Sequence, residues 1–229
     1  MRKVQFLLAL SEDASISALK SVLQGQRSFV DRHEGASYRL AIRDAASRAV
    51  MPSMGVPEFD EVLELGVPDE AGDQPLVDAA TALGPALKGL IDPTRSALHL
   101  GQEYSLRERQ GPFQLFRIMR RKAILTNEQF SDHFLHVHSI YGKLVPGAPG
   151  YRQLHRSHEA TLTAAKAAGV DISNIDGVAQ LIFPDAASIK LLGTDPEITE
   201  ATTTDGRLFV DRTGAMGMIA SVIEVVESV

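Results

Sequence analysis

Apolar positions fall into runs and stripes that alternate along the chain between strand and helix spacing. Residues 4–10 are a continuous apolar run of strand length, the pattern of a strand covered on both faces. Ile16, Leu19, Val22 and Leu23 then place one apolar stripe on a short helix, with Ser15 as a suitable cap. Strands are expected at 37–42 and 59–65, separated by the proline-punctuated loop MPSMGVPEF, and 66–75 is an acidic loop rich in Gly and Pro. Leu76, Ala79, Ala80, Leu83, Leu87 and Leu90 space as a helix kinked at Gly84-Pro85, and a fourth strand covers 96–106. The second half repeats that order: strand 113–125, helix 127–144, strand 151–158, and an Ala-rich helical piece at 161–168 closed by Gly169. Strand 178–183 follows, then helix 186–192 behind the cap Asp185, a Thr-rich loop TEATTTDGR leading to 208–210, and a last strand at 218–226.

Each half therefore reads βαββαβ, and the expected fold is α+β. Two tandem ferredoxin-like units, residues 1–110 and 111–229, would pack their four-stranded sheets face to face as a barrel within one chain. The sheet faces left bare by helices would line a shared interior, with a pocket inside the second half.

Composition narrows the function classes. The 229 residues are 44% hydrophobic and 23% charged, ordinary for a soluble globular protein. A formal net charge of −6, without any long Lys/Arg run, argues against a nucleic-acid or anionic-membrane partner. With no cysteine there is no disulfide, thiolate metal site or Cys nucleophile. The N-terminal apolar run stops at Leu10 before Ser-Glu-Asp, so it reads as a strand rather than a leader, and no apolar stretch is long enough to cross a bilayer. A cytoplasmic protein acting on a small molecule is the simplest expectation, with a homodimer as a possible assembly.

The chemistry concentrates in 113–155. Thr126, followed by Glu128 and Gln129, has the form of a helix N-terminus. Phe130, Phe134, Val137 and Tyr141 lie on one stripe of that helix. At about 100° per residue, His133 and His138 are expected on opposite borders of the stripe and His136 well away from it. His138, beside Phe134 and Tyr141, is a candidate general acid or base, or alternatively an imidazole bonded to a carbonyl at the helix edge. On the next strand Tyr151, Gln153 and His155 share one face against Arg152, Leu154 and Arg156 on the other. They suit a polar-aromatic pocket wall, with His155 a second proton-transfer candidate or a buried polar residue satisfied by its neighbours. Arg117, in mid-strand, is expected either to bind an anionic group of a substrate or to pair with a carboxylate such as Glu103.

This stretch also carries a family resemblance. A strand ending in the basic pair Arg120-Arg121, then T-x-E-x-F at 126–130, Phe134, Val137-His138 and a P-G-x-x-G-Y turn at 146–151 together resemble the EthD-like group. That group belongs to the dimeric α+β-barrel superfamily of ferredoxin-like units. The resemblance extends over about 113–155, is weaker toward the C-terminus and only architectural before 110. The family usually has Tyr or Trp where this chain has His133 and Phe134, and a small residue then Pro where it has Ser139-Ile140. His138 falls on the family's usual histidine. Asp211, in LFVDRTG, resembles a late Asp of the family, and either orients a site histidine or serves a turn.

The resemblance implies lyase or isomerase chemistry without a cofactor on a small aromatic or polyketide-like substrate, such as dehydration or decarboxylation. His138, His155 and Asp211 would be catalytic, with Arg117, Phe134, Tyr141, Tyr151 and Gln153 binding the substrate. Rival expectations are a haem-bound or cofactor-free monooxygenase and a non-catalytic binding protein. No metal is expected, since the helix histidines scatter around the axis and no H-E-x-x-H pair exists. Phosphate-binding loops and a G-x-S-x-G elbow are also absent from the sequence.

Overall fold

Eight antiparallel strands close on themselves in the order β1-β3-β2-β8-β5-β7-β6-β4, in a computed structural model that describes residues 1–50, 58–214 and 216–228. The strands are β1 (Arg2–Leu8), β2 (Ser37–Ile42), β3 (Glu61–Val67), β4 (Ala97–Arg107), β5 (Phe113–Met119), β6 (Gly150–Arg156), β7 (Gly177–Phe183) and β8 (Met216–Glu227). Closure depends on the two long strands. β4 pairs with β1 through 97–102 and with β6 through 101–107. Likewise β8 pairs with β5 through 216–221 and with β2 through 221–227. A closed barrel leaves no unpaired sheet edge.

The period-2 alternation of each strand separates two environments. Val4, Phe6 and Leu8 of β1 face helices α1 (Ile16–Gly25), α2 (Ser28–Arg32), α4 (Gln74–Leu87) and α7 (His158–Ala168), within one apolar cluster. Leu7, Ala41, Val62, Phe116, Leu154 and Met218 fill the barrel interior as a second. A third cluster, with Leu115, Phe130, Phe134, Tyr151 and Phe209, lies between the strands of the second half and their helices. The remaining helices are α3 (Ala45–Val50), α5 (Asn127–Asp132), α6 (Ser139–Gly142), α8 (Ala186–Ile189) and α9 (Pro196–Phe209). Among the described residues no helix is long and apolar enough to cross a membrane.

Most expected elements are present, with two corrections. The β5 strand ends at Met119 rather than 125, because the Arg121 amide turns to bond Asp176 Oδ2 (2.9 Å) and 122–125 form a turn. The expected loop at 51–59 falls largely on 51–57, outside the described residues. The larger correction is the Thr-rich segment, which is helix α9 rather than loop. Asp195 caps it by accepting from the Glu197 and Ile198 amides at 3.1 Å, Pro196 occupies the first turn, and Thr199 and Thr202 return their hydroxyls to carbonyls four residues back. The cap and the pre-set proline φ start the helix, and back-bonding satisfies the hydroxyls that would otherwise compete with it.

Candidate functional site

The helix that carries the histidines is not a uniform α-helix. α5 begins at Thr126 with a complete capping box, Thr126 Oγ1 accepting from the Gln129 amide and Gln129 Oε1 from the Thr126 amide. Residues His133–His138 then form a π-helical turn before α6 resumes. In an α-helix His133 and His138 would point about 140° apart. In a π turn hydrogen bonds run from i to i+5, so residues five apart stack on one side. That corrects the expectation of opposite borders: both rings meet the same carboxylate.

The carboxylate is Asp205 of α9, which is 5% exposed. His133 Nε2 lies 2.8 Å from Asp205 Oδ1, and His138 Nδ1 lies 2.7 Å from Asp205 Oδ2. An ionised carboxylate only accepts hydrogen bonds, so both facing nitrogens carry protons. For a neutral His138 the lone pair is therefore on Nε2. Burial pulls the His138 pKa below the usual histidine value; the Asp205 hydrogen bond and charge oppose that shift, and the His133 charge adds to it. The ring is thus predominantly neutral near pH 7.

His138 lines a cavity of about 280 Å³ beside Arg117, Gly142, Tyr151, Gly206 and Arg212. Gly142 admits Tyr151 closely, since a Cβ there would stand 2.4 Å from the ring. Behind the wall, Gln153 Nε2 donates to Tyr151 Oη (2.6 Å) and to the Phe134 carbonyl (2.8 Å), while His155 Nε2 donates to Gln153 Oε1 (2.9 Å). With its oxygen already accepting from Gln153, Tyr151 has its own proton to donate elsewhere. Burial raises the Tyr151 pKa, so that proton is held near neutral pH.

The structure groups the expected residues unevenly. His138, Tyr151 and Arg117 share the cavity wall. Phe134 is fully buried beneath it, and Tyr141 stands edge-on to the His138 ring at 6.4 Å. His155 stacks on the other side of Phe134 (4.8 Å) and borders a different, shallow cleft with Tyr104. Burial lowers its pKa to about 4, with the His136 charge acting the same way. Glu103 pairs with Lys3 inside the barrel, whereas Arg117 lines the helix-side cavity. Asp211, expected either to orient a site histidine or to serve a turn, bonds the Thr213 amide and hydroxyl in an exposed turn. The carboxylate that meets the histidines is six residues earlier, on the helix that was read as a loop. Among the described residues no group of His, Asp or Glu side chains is placed to hold a metal ion.

Residues 122–213 match the EthD domain family model. That stretch is similar to the EthD domain. The matched residues include His133, His138, Tyr151 and Asp205, whereas Arg117 reaches the cavity from the strand before them. No curated protein sequence matches the chain. Among solved structures, an anthrone oxidase-like protein superposes with a TM-score of 0.63 at 12% identity, over 99% of this chain and 93% of that one. A dye-decolorizing peroxidase from Bacteroides thetaiotaomicron VPI-5482 gives 0.56 at 10% identity, over 96% and 92%. A provisionally assigned monooxygenase from Lactobacillus acidophilus NCFM gives 0.51 at 10% identity, over 99% and 95%. At these identities the likeness is one of fold, a mixed α+β chain with a closed eight-stranded barrel.

Proposed function

We propose that the chain is a lyase or isomerase that moves protons, without a cofactor, on a small aromatic or polyketide-like substrate bound beside His138. The observation that supports this most is the buried Asp205 carboxylate on His138 Nδ1, which leaves Nε2 as a base at the wall of a cavity. In this reading Nε2 takes a proton from an acidic C–H or hydroxyl group of the substrate, and the electron pair moves into a conjugated carbonyl. Tyr151 donates its hydroxyl proton in a hydrogen bond to the resulting oxyanion, and Asp205 stabilises the imidazolium. The imidazolium then returns its proton to another carbon, which is isomerisation, or to a departing hydroxyl, which releases water. Arg117 and Arg212 favour a substrate with an anionic group, and His155 and Gln153 hold Tyr151 in place.

Cavity size favours this reading over a haem-bound one. Pockets for drug-sized ligands run from about 300 to 1,000 Å³, and at about 280 Å³ this one suits one or two fused rings rather than a macrocycle. Cofactor-free oxygenation is the second reading, drawn from the name of the anthrone oxidase-like neighbour. Turnover of a panel of hydroxylated aromatic ketones and polyketide lactones under strict anaerobiosis separates the two. The proposal expects the same rate with and without oxygen; a rate that requires oxygen supports oxygenation, and binding without turnover supports a non-catalytic protein. We also read 1–110 and 111–229 as tandem ferredoxin-like units, a reading supported by the matching orders β4-β1-β3-β2 and β8-β5-β7-β6.

A further inference from the structure

Strand β6 carries a second set of groups on its other face. Arg152 follows Tyr151 directly, so its side chain passes to the barrel interior while Tyr151 faces the helices. There it lines a cleft of about 510 Å³ at one end of the barrel, together with Lys3, Arg39, Glu103, Glu108, Arg109 and Glu227. This cleft shares no lining residue with the His138 cavity.

The buried cations at this end are not all paired. Lys3, Arg39 and Arg152 are 3%, 6% and 8% exposed, and the carboxylates buried among them are Glu64 and Glu103. Lys3 pairs with Glu103 and lies 3.8 Å from Glu64, while Arg39 Nη1 bonds Glu64 at 3.2 Å. Gln5 at 3.0 Å and Gln180 complete the Glu64 shell. Burial alone would raise the Glu64 pKa, but the Lys3, Arg39 and Arg152 charges outweigh it and keep the group ionised. Among the described residues the Arg152 side chain makes no hydrogen bond and no ion pair; Arg39, Glu103, Glu64 and the rim carboxylate Glu227 act on it only at longer range. A mostly buried guanidinium that lines a cleft without a side-chain partner presents a five-donor fork shaped for an oxyanion.

We infer that the Arg152 cleft binds a small ligand through a carboxylate or phosphate group, at a site separate from the His138 cavity. Glu64 is held by Arg39 and Glu103 by Lys3, so an anionic ligand group would supply the direct partner that the Arg152 fork lacks. The fork accepts either group bidentately, so both are used as probes.

Calorimetric titration of the whole chain with succinate and with inorganic phosphate, at fixed ionic strength, tests the inference. At least one probe should bind saturably at one site, and Arg152→Met should weaken it tenfold or more. Arg152→Lys, which keeps the charge but loses the fork, should fall between them and provides the comparison if the Met variant does not fold. His138→Gln should bind the probe as the parent does, which separates this site from the proposed reaction. Absence of saturable binding by either probe, or equal affinity in the Arg152 variants, would overturn the inference.

Discussion

Replacing Asp205 by Asn tests whether the carboxylate sets the state of His138. The substitution keeps the side-chain shape but removes the charge and one of two acceptors. Two hydrogen bonds of 2.7 and 2.8 Å to a charged group are weakened. Each such bond contributes about 1.5–3 kcal/mol, against about 1 kcal/mol for a neutral one. The imidazolium of His138 therefore loses roughly 0.5–2 kcal/mol of stabilisation, which corresponds to a rise of about 2- to 30-fold in its acid dissociation constant. The direction follows from the structure, where the Asp205 bond and charge both raise the His138 pKa against burial. Folding should lose about 1–3 kcal/mol, since the Asn amide also faces a ring N–H and one histidine must change tautomer. Imidazole NMR titration of the Asp205→Asn variant reads the first effect and urea unfolding the second. A His138 pKa that is unchanged, or raised, would refute the pairing.

Other expectations can be checked with the same protein. Gly142→Ala should drive a methyl group to within 2.4 Å of the Tyr151 ring, lowering stability by about 1–3 kcal/mol on denaturant unfolding and displacing the hydroxyl donor; unaltered stability would show that the approach is looser than described. Glu61 is fully buried without a hydrogen-bond partner, and burial raises its pKa from 4.5 to about 7. The folded state thus holds a proton that the unfolded state has released, so this group's contribution falls as pH rises from 4.5 to 7, by roughly 3 kcal/mol in all. Glu61→Gln should remove that decline from a stability–pH curve; a variant whose curve parallels the parent's would contradict the assignment.

Much of the barrel was legible because its strands are nearly pure pattern. Residues 37–42 and 178–183 are apolar or alternating runs bounded by turn residues, and β2 and β7 lie where those runs predict. The site was legible only in part. His138, Tyr151 and Arg117 converge on one cavity, and spacing along β6 put Tyr151, Gln153 and His155 on one face. The misplaced pieces share a physical cause, which is that local preference was overridden by context. Threonine is a modest helix former, so 199–207 was read as loop, although Asp195-Pro196 just before it is a cap and a first-turn proline. With that helix recognised, Asp205 and Phe209 fall four apart on one buried face. The π turn at 133–138 has no sequence signature at this level, and a constant 100° step separates the two histidines that the structure brings together.

The central claim, that His138 is the base of the proposed reaction, is tested most directly by turnover of His138→Gln on the substrate found by the anaerobic panel. Gln keeps a polar tip but cannot take up a proton in this pH range. Turnover should fall by about 10²–10⁴, the usual contribution of a general acid or base. His136→Gln serves as the control, because that ring is exposed and lies 3.8 Å from the exposed Asp132; its rate should match the parent's. Full turnover by His138→Gln would contradict the claim and move the proton transfer to another group.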